Sequence, residues 1–387
     1  MRKISIFLLS LFFFISNVNA DNFTITGQNV ILYNLNDNNI LYNKNADERV
    51  EIASLTKIMT ALVTIENTED LNKQIVIKEK DFEEVAGYSK AGFKVGDIVT
   101  IEDLLYGILL PSGADAVNAA VNNTLGYDKF ILKMNETAQK IGMQNSKFSN
   151  PIGKDDENNY STASDIAKLL KYAIKNKTFK KVFTSKFYKT TNGLSLKSTV
   201  SNYDKILETN KILGAKSGFT KEAGRCLASI TTLHDVNYLL VVIKSDTDYP
   251  YNAIKDTINI YKFYDENYSY QKVLSQDTFI QEIPVDLSSD KTYHITGAED
   301  ISLYLKNDTK LNLVYEGLDK IPYRTKKGTK LGIVKLYEGE NLIKTSNLYL
   351  EKNINYYPLE TIFIFLITLV FFIMFFIIKK KIRRGRN

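Results

Sequence analysis

One cysteine, Cys226, and two histidines, His234 and His294, are all the thiol and imidazole that this chain of 387 residues contains. A single cysteine cannot close a disulfide within the chain. A body of this length can instead draw on a hydrophobic core for the stability that small exported domains take from cross-links. One thiol and two imidazoles are poor material for a zinc site. No G-x-S-x-G elbow is present, so a Ser-His-Asp triad also lacks its parts. Net positive charge is absent over most of the length. The net charge is +6, but Arg2, Lys3, Lys379, Lys380, Lys381, Arg383, Arg384 and Arg386 supply eight positive charges at the two ends. Without them, residues 21–378 stand at about −2. The body therefore gives no sign of nucleic-acid binding. A hydrophobic share of 44% argues against disorder.

Both ends are apolar and basic. Residues 1–20 read as a secretory signal peptide: Arg2 and Lys3, an apolar run from Ile4 to Ile15, and a small residue at Ala20. At the other end, Thr361 to Ile378 is broken only by two threonines. A transmembrane helix over 359–378 is expected. The basic residues of 379–387 follow at once, and by the positive-inside rule that tail is cytoplasmic. Tyr356 and Tyr357, in a short linker at 353–358, suit the outer interface. The expectation is a single-pass protein of the cell membrane with its body on the extracytoplasmic face.

Within the body, one stretch organises the rest. Ser54 and Lys57 lie three residues apart at the head of an apolar run, Ile58, Met59, Ala61, Leu62, Val63 and Ile65. At helical spacing the two side chains share a face. Burial lowers the pKa of a lysine, which sets a neutral base beside a hydroxyl nucleophile. The matches Ser269 to Lys272 and Ser288 to Lys291 lie in polar surroundings and read as chance.

Downstream, Thr100 to Asp103 resembles a capping box opening a helix that Pro111 stops. Ser112 and Gly113 form a turn before a second apolar helix at Val117 to Val121, so Ser112 is positioned rather than mobile. Further helices are expected at Phe130 to Ile141 and Ser161 to Ile174, with irregular chain over residues 185–210. Ile212 to Phe219 reads as a strand, Arg225 to Thr231 as its return, and Tyr238 to Ile243 as a central strand. On the first, Lys216 and Ser217 suit a substrate carboxylate, and Gly218 admits a close backbone. Cys226 reads as a buried small side chain. Short alternating segments over residues 271–352 indicate a small all-β domain.

Taken together, Ser54 with Lys57, Ser112 with Gly113, and Lys216-Ser217-Gly218 resemble the three motifs of penicillin-recognising serine enzymes. More closely, the chain resembles the D-alanyl-D-alanine carboxypeptidases, the low-molecular-mass penicillin-binding proteins of type 5. The resemblance covers about residues 25–265. It includes Ala53 to Thr60, Gly96-Asp97 with Thr100, Asn150-Pro151-Ile152-Gly153, Tyr160 to Ala163, and Gly214 to Leu227. It implies an α/β catalytic domain of the β-lactamase and penicillin-binding kind over 21–265, then a β-sandwich-like domain.

The implied chemistry removes the terminal D-alanine from peptidoglycan pentapeptide stems without metal or cofactor. Ser54 would be the acyl-ester nucleophile, Lys57 its base and Ser112 a proton relay. The N–H groups of Ser54 and Phe219 would form the oxyanion hole. Lys216, Ser217 and Gly218 would hold the substrate, with Gly113 and Ala114 from the second motif. β-Lactams would acylate Ser54. Three positions depart from the family pattern. Ala114 stands where asparagine is usual, and Asp115 beside it would in part replace the amide. Ser217 stands for threonine and Lys154 for leucine. A β-lactamase, or a penicillin-binding sensor or scaffold without turnover, are the alternatives.

Overall fold

The computed structural model describes residues 23–384, so the signal peptide expected at 1–20 lies outside the described residues. The chain divides into two compact units at Glu266 and Asn267.

The first unit is built on five antiparallel strands. β1 (Asn29–Asn34) and β2 (Asn39–Lys44) form a hairpin. Val30, Ile31 and Leu32 are fully buried, and each such side chain contributes about 2 kcal/mol. A 3-10 turn at Ala53–Leu55 then runs into α1 (Thr56–Glu66), with every residue from Thr56 to Thr64 buried. A helix buried on all sides sits in the core rather than on it. Ser54 therefore stands on the turn before the helix, not on the helix itself.

β3 (Gln74–Val76) pairs with β4 (Ile98–Thr100) and leads to α2 (Ile101–Leu109). The capping box forms as expected. Thr100 Oγ1 accepts from the Asp103 amide at 3.1 Å, and the Asp103 carboxylate accepts from the Thr100 amide at 2.8 Å. α3 (Ala114–Asn123), α4 (Tyr127–Ile141), α5 (Ala163–Ala173) and α6 (Lys177–Phe183) complete the helical layer. α3 starts three residues earlier than its apolar run suggests. α6 lies in a stretch that the sequence reading left unassigned. The 185–210 stretch, expected to be irregular, holds a short hairpin of β5 (Phe187–Lys189) and β6 (Ser195–Lys197).

β7 (Gly214–Thr220), β8 (Gly224–Leu233) and β9 (Val236–Ser245) finish the sheet in the order β2-β1-β9-β8-β7. The apolar strand is central, as expected, and β7 is an edge. α7 (Asn252–Asn267), which sequence reading missed, is anchored by Asp256. That carboxylate accepts from the Gly27 amide at 2.8 Å and the Ser245 hydroxyl at 2.7 Å. Tyr261 adds a 2.9 Å contact with the Ser229 hydroxyl of β8.

The second unit is all-β up to its last helix. β10 (Tyr268–Leu274) pairs with β13 (Ile301–Lys306), and β11 (Phe279–Pro284) with β12 (Thr292–Thr296). β14 (Asn312–Gly317), β15 (Lys330–Glu338) and β16 (Asn341–Tyr349) form a third sheet. Their core holds Leu274, Ile283, Ile295, Ile321, Val334 and Leu348. Ser269 and Lys272 fall on a strand and Ser288 and Lys291 on a loop, so neither pair has helical spacing. α8 (Leu359–Arg384) carries the apolar run and continues helically into the basic residues beyond 378. The 353–358 stretch, expected as a linker, is bonded to the β fold: Ser288 Oγ donates to the Asn355 carbonyl at 2.8 Å and the Tyr357 amide to the Leu287 carbonyl at 2.9 Å.

Candidate active site

Three segments far apart in sequence meet at one cleft of about 300 Å³. The first is the turn carrying Ser54, whose preceding residue, Ala53, has φ +46°. Such a conformation costs about 1–3 kcal/mol in a non-glycine residue and persists only where its surroundings enforce it. Here the Asn150-Pro151-Ile152-Gly153 loop enforces it. The Asn150 side-chain oxygen accepts from the amides of Gly153 and Lys154, both at 2.9 Å, which closes the loop. The loop's carbonyls then face α1. Pro151 accepts from the Thr60 hydroxyl at 2.6 Å, and Ile152 from Lys57 Nζ at 2.6 Å. Gly153 has φ +82°, and a Cβ there would lie 2.0 Å from the Ala53 carbonyl oxygen.

Lys57 is 1% exposed, and its Nζ lies 2.9 Å from Ser54 Oγ. Burial pushes its pKa down to about 7; the Asp115 carboxylate opposes the shift only in part. The sequence expectation of a buried amine over the serine hydroxyl is met in geometry.

Ser112 forms the second segment, in the turn between α2 and α3. It has φ +67°. The Gly113 amide donates to the Gly107 carbonyl and the Ala114 amide to the Ser89 carbonyl, both at 2.8 Å. Gly113 is packed: a Cβ would lie 2.6 Å from the Ala91 nitrogen. Ala114 is fully buried. Neither of the two lines the cleft. Asp115 does not supply the missing amide. Its carboxylate is turned away and accepts from the amides of Ala91 at 2.7 Å, Gly92 at 3.0 Å and Phe93 at 3.3 Å. It braces the loop before β4 against α3.

β7 supplies the third segment. Lys216 is fully buried, and its Nζ donates to Ser112 Oγ at 2.9 Å and to the Ser217 carbonyl at 2.6 Å. Burial, and then the neighbouring charge of Lys57, push its pKa well down. Ser217 Oγ is 2.7 Å from Thr199 Oγ1. A Cβ on Gly218 would lie 3.0 Å from the Ser54 nitrogen, so glycine lets the strand approach the nucleophile's own amide. Phe219 is 44% exposed at the rim, with the Arg225 guanidinium 3.7 Å above its ring.

Sequence reasoning missed Arg225, Tyr203, Tyr88 and Thr199, which line the same cleft. Arg225 is the most informative of them. Its Nε is buried and has no hydrogen-bond partner among the described residues. Its only advance signal was a position nine residues beyond Lys216 on the return strand. Cys226 beside it is buried, and burial pushes its thiol up to about 12, which agrees with an inert side chain.

Comparison with known proteins places these observations in context. Residues 16–247 match the family model described as D-alanyl-D-alanine carboxypeptidase, and residues 268–356 the C-terminal domain of penicillin-binding protein 5. The D-alanyl-D-alanine carboxypeptidase DacF of Bacillus subtilis is 27% identical over 332 residues, covering 82% of this chain and 83% of its own. Among solved structures, a Streptomyces DD-transpeptidase is 30% identical with TM-score 0.56, over 62% of this chain and 97% of that one. Penicillin-binding protein 5 from Haemophilus influenzae shares the fold at 23% identity and TM-score 0.62, over 86% of this chain and 98% of that one.

Proposed function

The chain belongs to the D-alanyl-D-alanine carboxypeptidase family, and we propose that it releases the terminal D-alanine of peptidoglycan pentapeptides through an acyl ester on Ser54. It is a serine-type hydrolase of the penicillin-binding kind that acts on peptidoglycan. One observation carries the residue assignment: a buried amine with a pKa near 7, held 2.9 Å from a serine hydroxyl.

Ile152 takes one N–H of Lys57 and holds its nitrogen beside Ser54 Oγ, where the lone pair of the neutral amine can receive the hydroxyl proton. Lys57 accepts the Ser54 proton as Oγ attacks the carbonyl between the two D-alanines. The amides of Ser54 and Phe219 hold the oxyanion; removing one such donor typically costs about 2.7–4 kcal/mol. Ser112, bonded to Lys216, relays the proton that Lys57 has taken to the leaving amine as the C–N bond breaks, which returns Lys57 to its neutral form. Water then hydrolyses the ester and returns Ser54.

The terminal carboxylate lies against Ser217 and the ammonium of Lys216. Its arrival restores the charge that burial disfavours. Arg225, which lines the cleft, adds a second cation to that end. β-Lactams acylate Ser54 by the same attack. For the anchor, the apolar helix Leu359–Lys381 is long enough to cross a bilayer. The basic residues behind it put the catalytic unit on the extracytoplasmic face.

Two outcomes test the assignment here. A lysine whose pKa is lowered to about 7 sheds its proton as pH rises through that value. About one Lys57 in a hundred is then neutral at pH 5 and nearly all at pH 9, so the acylation rate rises roughly 100-fold between them. Stopped-flow penicillin acylation against pH measures this, and a flat profile would place the base elsewhere.

The second outcome concerns Gly153→Ala. The new Cβ enters the Ala53 carbonyl, at a φ that alanine resists. Either the turn bearing Ser54 or the loop holding Lys57 must move, and misplacement on that scale costs about two orders of magnitude in kcat/KM. D-alanine release from a pentapeptide, with a thermal melt as the folding control, reads it out. Unchanged kinetics would show that the loop does not set the position of the pair.

A further inference from the structure

The start of α8 is fastened to the β fold on several sides. The Tyr323 hydroxyl donates to the Tyr357 carbonyl at 2.9 Å, and the Tyr356 hydroxyl to the Pro322 carbonyl at 3.2 Å. The rings of Tyr323 and Tyr356 meet edge to face at 5.3 Å. Arg324 pairs with Glu360 of the first helical turn at 2.7 Å. The apolar run begins at the next residue, Thr361. Glu360 lies about one helical rise, roughly 1.5 Å along the axis, before the apolar run, and the Arg324 guanidinium is bonded to its carboxylate. The headgroup layer of a bilayer extends about 5–7 Å beyond the hydrocarbon on each side.

Two exposed lysines, Lys326 and Lys327, continue the same loop. Leu287 and Tyr357, 50% and 49% exposed, stand on the two segments that bracket the helix start. Tyrosines and basic side chains are the residue types that settle at a membrane–water interface. The bonds from residues 287 and 322–324 tie Tyr356, Tyr357 and Glu360 to the β unit.

From this arrangement we propose that the 322–327 loop, with Leu287 and Tyr357, is a binding surface for anionic phospholipid headgroups that seats the β unit on the bilayer. The proposal rests on α8 spanning the membrane. Arg324 is already neutralised by Glu360, so Lys326 and Lys327 carry the attraction. The loop is bonded to Tyr356, Tyr357 and Glu360 at the start of the apolar helix, which favours a lipid headgroup over an anionic wall polymer further out.

The test uses the full chain in nanodiscs of phosphatidylcholine alone, or of phosphatidylcholine and phosphatidylglycerol at about 7:3, where surface charge attracts nearby lysines. Hydrogen exchange of residues 322–329 is followed in both, alongside a carbonate-extraction assay on membranes holding the same protein. Carbonate-resistant protein whose loop exchanges at least about threefold more slowly in the anionic discs is the expected result, with the difference lost in high salt. Lys326→Glu with Lys327→Glu is expected to remove that difference while extraction stays unchanged. Resistant protein with equal exchange in both discs overturns the headgroup surface and leaves the span standing. Extractable protein overturns both. Equal protection by a soluble anionic wall polymer added to neutral discs would assign the surface to that polymer instead.

Discussion

Ser54→Ala is expected to give a folded protein that neither takes up penicillin nor releases D-alanine. The change removes one oxygen from a half-buried side chain. Lys57 keeps its bond to the Ile152 carbonyl, and the turn keeps its backbone bond from the Leu55 amide to the Ile52 carbonyl. Stability should therefore move by no more than about 1 kcal/mol. The rate should fall by at least about a thousandfold, because no other hydroxyl can replace the acyl acceptor in the same geometry. Ser112 is bonded to Lys216 rather than Lys57. Retained D-alanine release in this variant would place the nucleophile elsewhere. Loss of release with penicillin still bound covalently would separate the two activities and contradict the shared acyl-enzyme.

Lys57→Arg is expected to be almost as damaging, for a different reason. A guanidinium stays charged at every accessible pH, so it cannot accept the Ser54 proton. It also puts a permanent cation into a site that is 1% exposed, where the native amine escapes the cost by losing its charge. Acylation should fall by at least about a thousandfold and should not recover up to pH 9. A modest loss of thermal stability should accompany it. Because Lys216 is held down partly by the charge of Lys57, a permanent charge there should also weaken the hold on a substrate carboxylate less than it slows acylation. Measuring KM and kcat separately checks this. Near-normal rates at neutral pH would show that Lys57 is not the base.

Local patterns made much of this legible in advance. The run after Ser54 is apolar on every side, and a helix of that kind is a core helix. Thr100 and Asp103 cap α2 through bonds that span three residues, which sequence spacing predicts well. The run Tyr238 to Ile243 has no alternation, and it became the middle strand of the five. The three motifs meet because the sheet and helical layer bring Lys216 against Ser112, 104 residues earlier. No periodicity encodes that meeting, and it was expected only through family resemblance.

What was not legible depends on contacts between distant segments. Asp115 looked like a stand-in for an amide. Only the fold shows the loop at residues 91–93 arriving to take its oxygens. Arg225 read as the first residue of a return strand, and only the fold shows its guanidinium stacked on Phe219 at the cleft. Gly153 has its strict steric role because Ala53, a hundred residues earlier, is pressed against it. α7 carried a readable spacing at Ile254, Thr257, Ile258, Tyr261 and Tyr264, but the polar residues between them obscured it. Its true anchor, Asp256, reaches back to the amide of Gly27, 229 residues away.

The measurement that bears most directly on the central claim is intact mass of the protein after incubation with penicillin, with peptide mapping of the adduct. It is paired with an assay of D-alanine released from a pentapeptide by the same preparation. A single adduct on the peptide containing Ser54, with D-alanine released and the release blocked by penicillin, is the predicted result. A folded protein that takes no adduct, or takes it on another residue, would contradict the assignment of Ser54 and Lys57 as nucleophile and base.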